Sequence, residues 1–352
     1  KPKRSKELKE IVVCGGMSAA EKRSFSAGQT VAKAMNTARD IANASGADMY
    51  PAKLAQATKE ALRSTLATVK VLTDKQIKTA KMRLLEAVGK GAEHPPRFII
   101  IEYFGTKKTE QPIVLVGKGI TYDSGGLNVK PSGAMHEMHL DMSGGAAMIG
   151  SMQAIAKLRL KKNVIALIPA AENALSDRSM RAGDILTSLS GKTVEVVHTD
   201  AEGRLVLADA LTYAAQHYQP RVILDAATLT GAALIALGKH ASAIMTKDDT
   251  LRNTLTQLGE ESGDYVWPLP LWDEYKEHLK SQRADLANID PSFSKLGGTI
   301  EGGTFLSHFV DSKIPWVHID IAPRMTAIPS DKLAKGATGE PVRLLVKFVE
   351  TY

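Results

Sequence analysis

Apolar positions along this chain change their spacing repeatedly, and the changes mark out its elements. From Ser26 onward Val31, Ala34, Met35, Ala38, Ile41 and Ala42 recur at three- and four-residue steps, the spacing that lines one face of a helix. This predicts a helix over about 26–45, closed by glycine near Ser45-Gly46. Tyr50-Pro51 opens a second helix over about Ala52–Leu66, since proline lacks only an N–H that a first turn leaves unpaired. Val69–Leu72 reads as a strand and Asp74–Glu86 as a helix. Arg97–Tyr103 and Ile113–Val116 are β-rich and flank a turn at Gly105-Thr106-Lys107. Helical spacing returns across Gly145–Leu158, followed by strands at Val164–Ala170 and Thr193–Val197, a helix at Leu205–His217 and a strand at Arg221–Ala226. Gly297-Gly298 and Gly302-Gly303 bracket a loop leading into a helix at Thr304–Val310, and Trp316–Ile321 is a last strand. Strands alternating with helices predict an α/β fold with a mixed, largely parallel central sheet, buried on both faces by helices.

Composition narrows the class without naming a function. The chain has 352 residues, 44% hydrophobic and 24% charged, which is ordinary for a soluble globular protein. No apolar run approaches the roughly 18–20 residues of a membrane helix. The opening Lys1-Pro2-Lys3-Arg4-Ser5-Lys6 lacks the apolar segment of a secretory signal. Val12 and Val13 belong to a short apolar island, Ile11–Val13, read as a strand end or a docked terminus. The single cysteine, Cys14, excludes an internal disulfide and is expected to be a small buried apolar residue. A net charge of +7 permits an anionic partner. Nucleic acid is unsupported by any motif, and 5% aromatics offer little stacking surface.

The chemistry lies at three strand-to-helix junctions. Gly117-Lys118-Gly119-Ile120-Thr121-Tyr122-Asp123-Ser124-Gly125-Gly126 follows a strand, where open α/β sheets place ligands. It lacks the phosphate-loop pattern, and Asp123 would repel phosphate. Asp141 precedes a helix rich in small residues; Asp200 and Glu202 lie in His198-Thr199-Asp200-Ala201-Glu202-Gly203-Arg204, also ahead of a helix. Any one of these acids alone reads as a helix-start residue. Strand ends on one side of a sheet converge, however, and four gathered carboxylates repel unless cations neutralise them. Carboxylate oxygens suit Mg²⁺, Mn²⁺ or Zn²⁺, and a metal pair acidifies a bridging water and polarises a carbonyl. Beside two cations Lys118 is expected to have a depressed pKa and to donate a lone pair. A two-metal phosphatase shares the acids but lacks the histidines often seen in such sites, and it explains Lys130 and Arg204 less well.

These two motifs, with Ala226-Ala227-Thr228-Leu229-Thr230-Gly231, His318-Ile319-Asp320-Ile321-Ala322 and Gly336-Ala337-Thr338-Gly339, resemble the leucine aminopeptidase (cytosol aminopeptidase) family over about residues 25–352. The resemblance implies a two-metal exopeptidase acting on peptides and preferring Leu-like N-terminal residues. It implies that Asp123 and Glu202 bridge the metals, that Lys118 and Asp141 complete the tighter site, and that Asp200 serves the exchangeable one. Lys130 would stabilise the oxyanion, and Arg204 would hold a bicarbonate acting as general base. Met138, Thr228, Gly231, Ala322 and Met325 would line an apolar pocket for the first side chain. Zn or Mn, with Mg or Co as alternatives, a homohexamer and the cytoplasm follow from the same likeness, the mitochondrion replacing the cytoplasm if a targeting segment was removed. The family carries an N-terminal α/β domain; here that domain is read as mostly absent, with residues 1–25 its remnant or linker and 26–352 the catalytic domain. His198 stands where Asn is usual, and it is read as uninvolved in the chemistry; Pro323 replaces a usual Gly by the pocket. A rival of another class is a structural or nucleic-acid-binding subunit built on the same fold, which the intact set of acids argues against.

Overall fold

The structure is a computed structural model and describes residue 10 and residues 12–352, so the basic opening and Ile11 lie outside the described residues. Val12 and Val13 are exposed and in no strand, and Cys14 is exposed rather than buried. Helix α1 (Ala19–Asn43) starts well before Ser26 because Ser18 and Glu21 form a reciprocal capping box, each side chain holding the other's backbone N–H. It ends at Ala44 in an extended conformation, without the glycine cap the sequence predicts. Next come α2 (Pro51–Leu62) and β1 (Thr68–Leu72). The helix expected over 74–86 is two, α3 (Asp74–Thr79) and α4 (Arg83–Gly89), because Lys81 adopts φ 60°, which no right-handed helix carries.

The rest follows in order: β2 (Arg97–Phe104), β3 (Ile113–Gly117), β4 (Gly119–Asp123), α5 (Ser143–Leu158), β5 (Asn163–Asn173), β6 (Ile185–Thr187), β7 (Thr193–Glu195), α6 (Gly203–Tyr218), β8 (Val222–Ala227), α7 (Gly231–Leu237), β9 (Ser242–Met245), α8 (Asp249–Ser262), β10 (Val266–Pro268), β11 (Leu286–Ala287), α9 (Gly298–Ser307), β12 (Trp316–Asp320) and α10 (Val342–Thr351). Helix α9 begins at Gly298, so the loop expected around Glu301 is its first turn.

Nine strands form one sheet in the order β1-β2-β5-β3-β8-β12-β9-β10, with β4 beside β5. The centre, β5-β3-β8-β12, is parallel; β1, β2 and β9 run antiparallel to their inner neighbours. The β-rich segments flanking residue 105 make no hairpin, since β5 lies between β2 and β3. Strand β7 belongs to a separate three-stranded sheet, β11-β7-β6. Side chains alternate across the main sheet. Ile99, Ile101, Leu115, Ala166, Ile168, Leu224 and Ile319 pack against α1, α5, α8 and α10. Ile100, Val114, Val116, Leu167 and Ile223 pack against α4, α6 and α9 on the other face. Leu167 is fully buried, and cutting such a residue to Ala costs about 2–5 kcal/mol.

One irregularity places the functional residues. Strand β3 lies between β5 and β8, but beyond Lys118 its continuation β4 follows β5 alone. Lys118 N donates to Ala226 O (3.1 Å) and Lys118 O accepts from Gly145 N (2.7 Å), so the parting is pinned from both sides. The first turn of α5 packs on main chain here. A Cβ on Gly144 would lie 2.1 Å from Ala226 O, so only glycine allows the approach.

Candidate metal centre

Asp123 ends β4, and its register partner Asn173 ends β5. Asn173 Nδ2 donates to Asp123 Oδ1 at 2.8 Å and to Thr199 O at 3.2 Å, joining the strand end to the loop that carries Asp200. Gly125 N donates to the same Asp123 oxygen at 2.9 Å. Asp141 lies in a 3-10 turn, Met138–Met142, that runs straight into α5. Thr228 Oγ1 donates to Asp141 Oδ1 at 2.6 Å. Glu202 immediately precedes α6 yet makes no capping hydrogen bond, which removes the plain helix-start reading for it. Asp200 and Glu202 therefore arrive from the small sheet, not from a strand of the main one.

Lysine closes the cluster from two sides. Lys118 Nζ lies 2.8 Å from Asp141 Oδ2, 2.9 Å from Glu202 Oε1 and 3.0 Å from Thr228 O. Gly203 makes room for it: a Cβ there would meet Lys118 Cε at 2.5 Å. Lys130 Nζ bridges Asp123 Oδ2 (2.7 Å) and Asp200 Oδ1 (2.5 Å). Asp123, Asp141 and Glu202 are buried, and each offers an oxygen within 4.8 Å of the others. Glu202 Oε2 is buried and has no hydrogen-bond partner among the described residues.

The electrostatics follow from burial and crowding. Burial, reinforced by the neighbouring acids, pushes Asp141 up to about 8 and Asp200 up to about 7, and it raises Glu202 as well. Burial pulls Lys118 and Lys130 down, but the facing carboxylates more than offset it and both are raised. For Lys118 this is opposite in sign to the expectation beside two cations. With lysine as the counter-charge the ammonium is favoured; with metal as the counter-charge it is disfavoured. Four carboxylates face two ammonium groups, a formal excess of two negative charges in a buried place. Hard divalent cations fit that excess and the partnerless Glu202 oxygen.

Arg204 is placed differently. It is buried in the first turn of α6, and its Nη1 donates to Asn288 O (2.7 Å) and Glu301 Oε1 (3.0 Å). Of the expected pocket residues, Thr228 touches Asp141 and Met138 shares its turn. Asp320 Oδ1 accepts from Leu229 N and Ala322 N, both at 3.1 Å, which gathers the segment before Gly231 against Ala322. Met325 follows Ala322, its N donating to Ala322 O. A cavity of about 410 Å³ between Thr246, Val310 and Trp316 is lined by none of these residues.

Sequence reasoning missed the supports. Asn288 Oδ1 accepts from Val197 N (2.7 Å) and His198 N (3.2 Å), while its Nδ2 donates to His198 O (2.7 Å), clasping the Asp200 loop from the residue just past β11. His198 Nδ1 accepts from Asp200 N at 3.3 Å, and burial together with Lys130 lowers the ring's pKa. It acts on the loop's shape through main chain. Asp320 and Asn173 lie in segments that match the family without a role attached to them, and Glu301 carried no signal beyond being a polar residue between glycines.

With this geometry the comparisons with known proteins agree. Residues 36–346 match the family model described as the cytosol aminopeptidase family, catalytic domain. The chain is 46% identical over 323 residues to a probable cytosol aminopeptidase of Nitrosococcus oceani, covering 92% of this chain and 63% of that protein. It is 46% identical over 322 residues to one of Azoarcus sp. strain BH72, again covering 92% of this chain and 63% of the relative. The chain thus spans under two thirds of the length of these relatives. A structure of the bottromycin maturation enzyme BotP in complex with Mn is similar at a TM-score of 0.89 and 35% identity, covering 95% of this chain and 73% of that one. The matched span contains every residue of the acid cluster, and the chain belongs to the cytosol aminopeptidase family, of which it carries the catalytic domain.

Proposed function

We propose that this chain is the catalytic part of a metal-dependent aminopeptidase that releases N-terminal, Leu-like residues from peptides. The observation that carries the reading is three buried carboxylates with oxygens within 4.8 Å of one another, one of them with an oxygen left without a donor. Asp123 and Glu202 would be shared between two cations, Lys118 and Asp141 completing the tighter position and Asp200 the exchangeable one. Zn²⁺ or Mn²⁺, with Mg²⁺ or Co²⁺ as further candidates, would supply an acidified water and a Lewis acid for the carbonyl. Lys130, between Asp123 and Asp200, holds positive charge for the oxyanion that forms from the first carbonyl. Thr228 and Asn173 fix the carboxylate rotamers, which sets cation affinity. Met138, Gly231, Ala322 and Met325 would receive the first side chain. Arg204 is the residue to which the family likeness gives bicarbonate, but its Nη1 already holds a buried carboxylate.

The reading extends to a catalytic unit over 26–352, a homohexamer and a cytoplasmic site of action. No helix among the described residues is long and apolar enough to cross a membrane. The test is hydrolysis of a leucyl chromogenic amide by metal-stripped protein, with each cation added back, alongside Lys130→Ala. Turnover restored by metal and lost in the variant is the expected outcome. No turnover with any cation in folded, assembled protein would overturn the reading.

A further inference from the structure

Glu301 lies with Arg204 beside the acid cluster, and nothing in the reading above gives it a task. Its Oε1 accepts from Arg204 Nη1 at 3.0 Å, and the two side chains are only 8% and 6% exposed. Oε2 accepts no hydrogen bond from the described residues. The first turn of α9, entered through Gly297 at φ 63°, presents Glu301 to the arginine. That turn is pressed on the 228–230 segment: a Cβ on Gly302 would lie 3.0 Å from Leu229 and 3.2 Å from Thr230. The hydroxyls of Thr299 and Thr230 are 3.1 Å apart. The same segment gives Thr228 O to Lys118 and Thr228 Oγ1 to Asp141. Glu301 is therefore held in the wall of the site. A second anion on Arg204 would stand beside a buried carboxylate, a like-charge contact that low dielectric makes costly.

We propose that Glu301 is the resident carboxylate of Arg204, a positioning residue that supplies from within the chain the negative charge this guanidinium would otherwise draw from solution. Nε and Nη2 of Arg204 hold no partner among the described residues, and bicarbonate taking that edge would share one guanidinium with a buried carboxylate. Only the activity arm of the test rests on the aminopeptidase reading. Wild type, Glu301→Gln and Glu301→Gln/Arg204→Gln, loaded with Mn²⁺ in carbon-dioxide-free buffer, are titrated with bicarbonate by calorimetry and assayed on a leucyl amide. Wild type should show no saturable bicarbonate binding and a turnover change below about twofold. Glu301→Gln should gain saturable binding and bicarbonate activation of about tenfold or more, both lost in the double variant. Wild type that binds bicarbonate saturably or is activated by it overturns the proposal, as does a folded Glu301→Gln that fails to gain binding. Should Glu301→Gln fail to fold, wild type decides alone: binding or activation sinks the proposal, and the lack of both upholds it. Should wild type hydrolyse nothing, the aminopeptidase reading falls while the calorimetry still decides the pairing at Arg204.

Discussion

Glu202, just before α6, and Asp209, inside it, are both buried acids whose pKa burial raises. Their surroundings differ. Asp209 Oδ2 accepts from Leu84 N (2.9 Å) and Leu85 N (3.1 Å), and Oδ1 accepts from Leu189 N (2.8 Å). Those first two donors are orphan N–H groups of the first turn of α4, so Asp209 caps a helix other than its own. Glu202 has one oxygen on Lys118, none on a backbone donor, and Asp123 and Asp141 for neighbours. Burial does not tell a structural acid from a working one. What separates them is whether neutral backbone donors or other charges complete the shell.

The widest split should appear on mutation. Glu202→Gln should cut metal-restored turnover by about a thousandfold or more while leaving the chelated protein at least as stable, because it relieves charge crowding. Asp209→Ala should cost about 3 kcal/mol in urea unfolding, since three backbone donors lose their acceptor, with turnover per folded molecule nearly kept. The contrast breaks if Glu202→Gln unfolds or Asp209→Ala folds normally but is dead.

Cation linkage sharpens it. Mn²⁺ at a hundred times its dissociation constant should stabilise wild type and Asp209→Asn alike by about 2.7 kcal/mol in thermal unfolding. Glu202→Gln should lose most of that gain.

Acidity separates the two next. Burial moves Asp209 from its ordinary 3.8 up to about 7, so between those values the folded state holds a proton that the unfolded state has released. Its stabilising contribution is full below pH 3.8 and lost as pH rises to about 7. Chelated wild type should therefore lose more stability across that window than Asp209→Asn, measured by unfolding at a series of pH values. Equal slopes would remove Asp209 from the account. The smallest effects belong to the supports: Thr228→Val and Asn173→Ala should each weaken Mn²⁺ binding about tenfold by calorimetry, with little change in fold.

The sequence made the architecture legible where periodicity is long. The core strands β3, β5, β8 and β12 and helices α5 and α6 fall within a few residues of their expected bounds. It failed where one residue decides: Lys81 breaks a helix through its backbone, and the pattern of apolar residues does not register that. The gathering of Lys118, Asp123, Asp141, Asp200, Glu202 and Lys130 was legible because acids and lysines clustered at junctions have few other uses. The path was not: the strand ahead of Asp200 shows in the sequence at 193–197, but its pairing with β6 and β11 in a separate small sheet leaves no mark in the apolar pattern. Glu301 was hidden because its partner, Arg204, lies 97 positions away.

The floor beneath the acids is main chain: Ala226 O, Lys118 N and O, and the Gly144-Gly145 turn, packed too closely for any Cβ at 144. Evolution and protein engineers thus face the same division of labour. On the proposed function, altering which residue is released has to work through Met138, Thr228, Ala322 and Met325, because the floor at Gly144 and Gly145 has no room for a side chain.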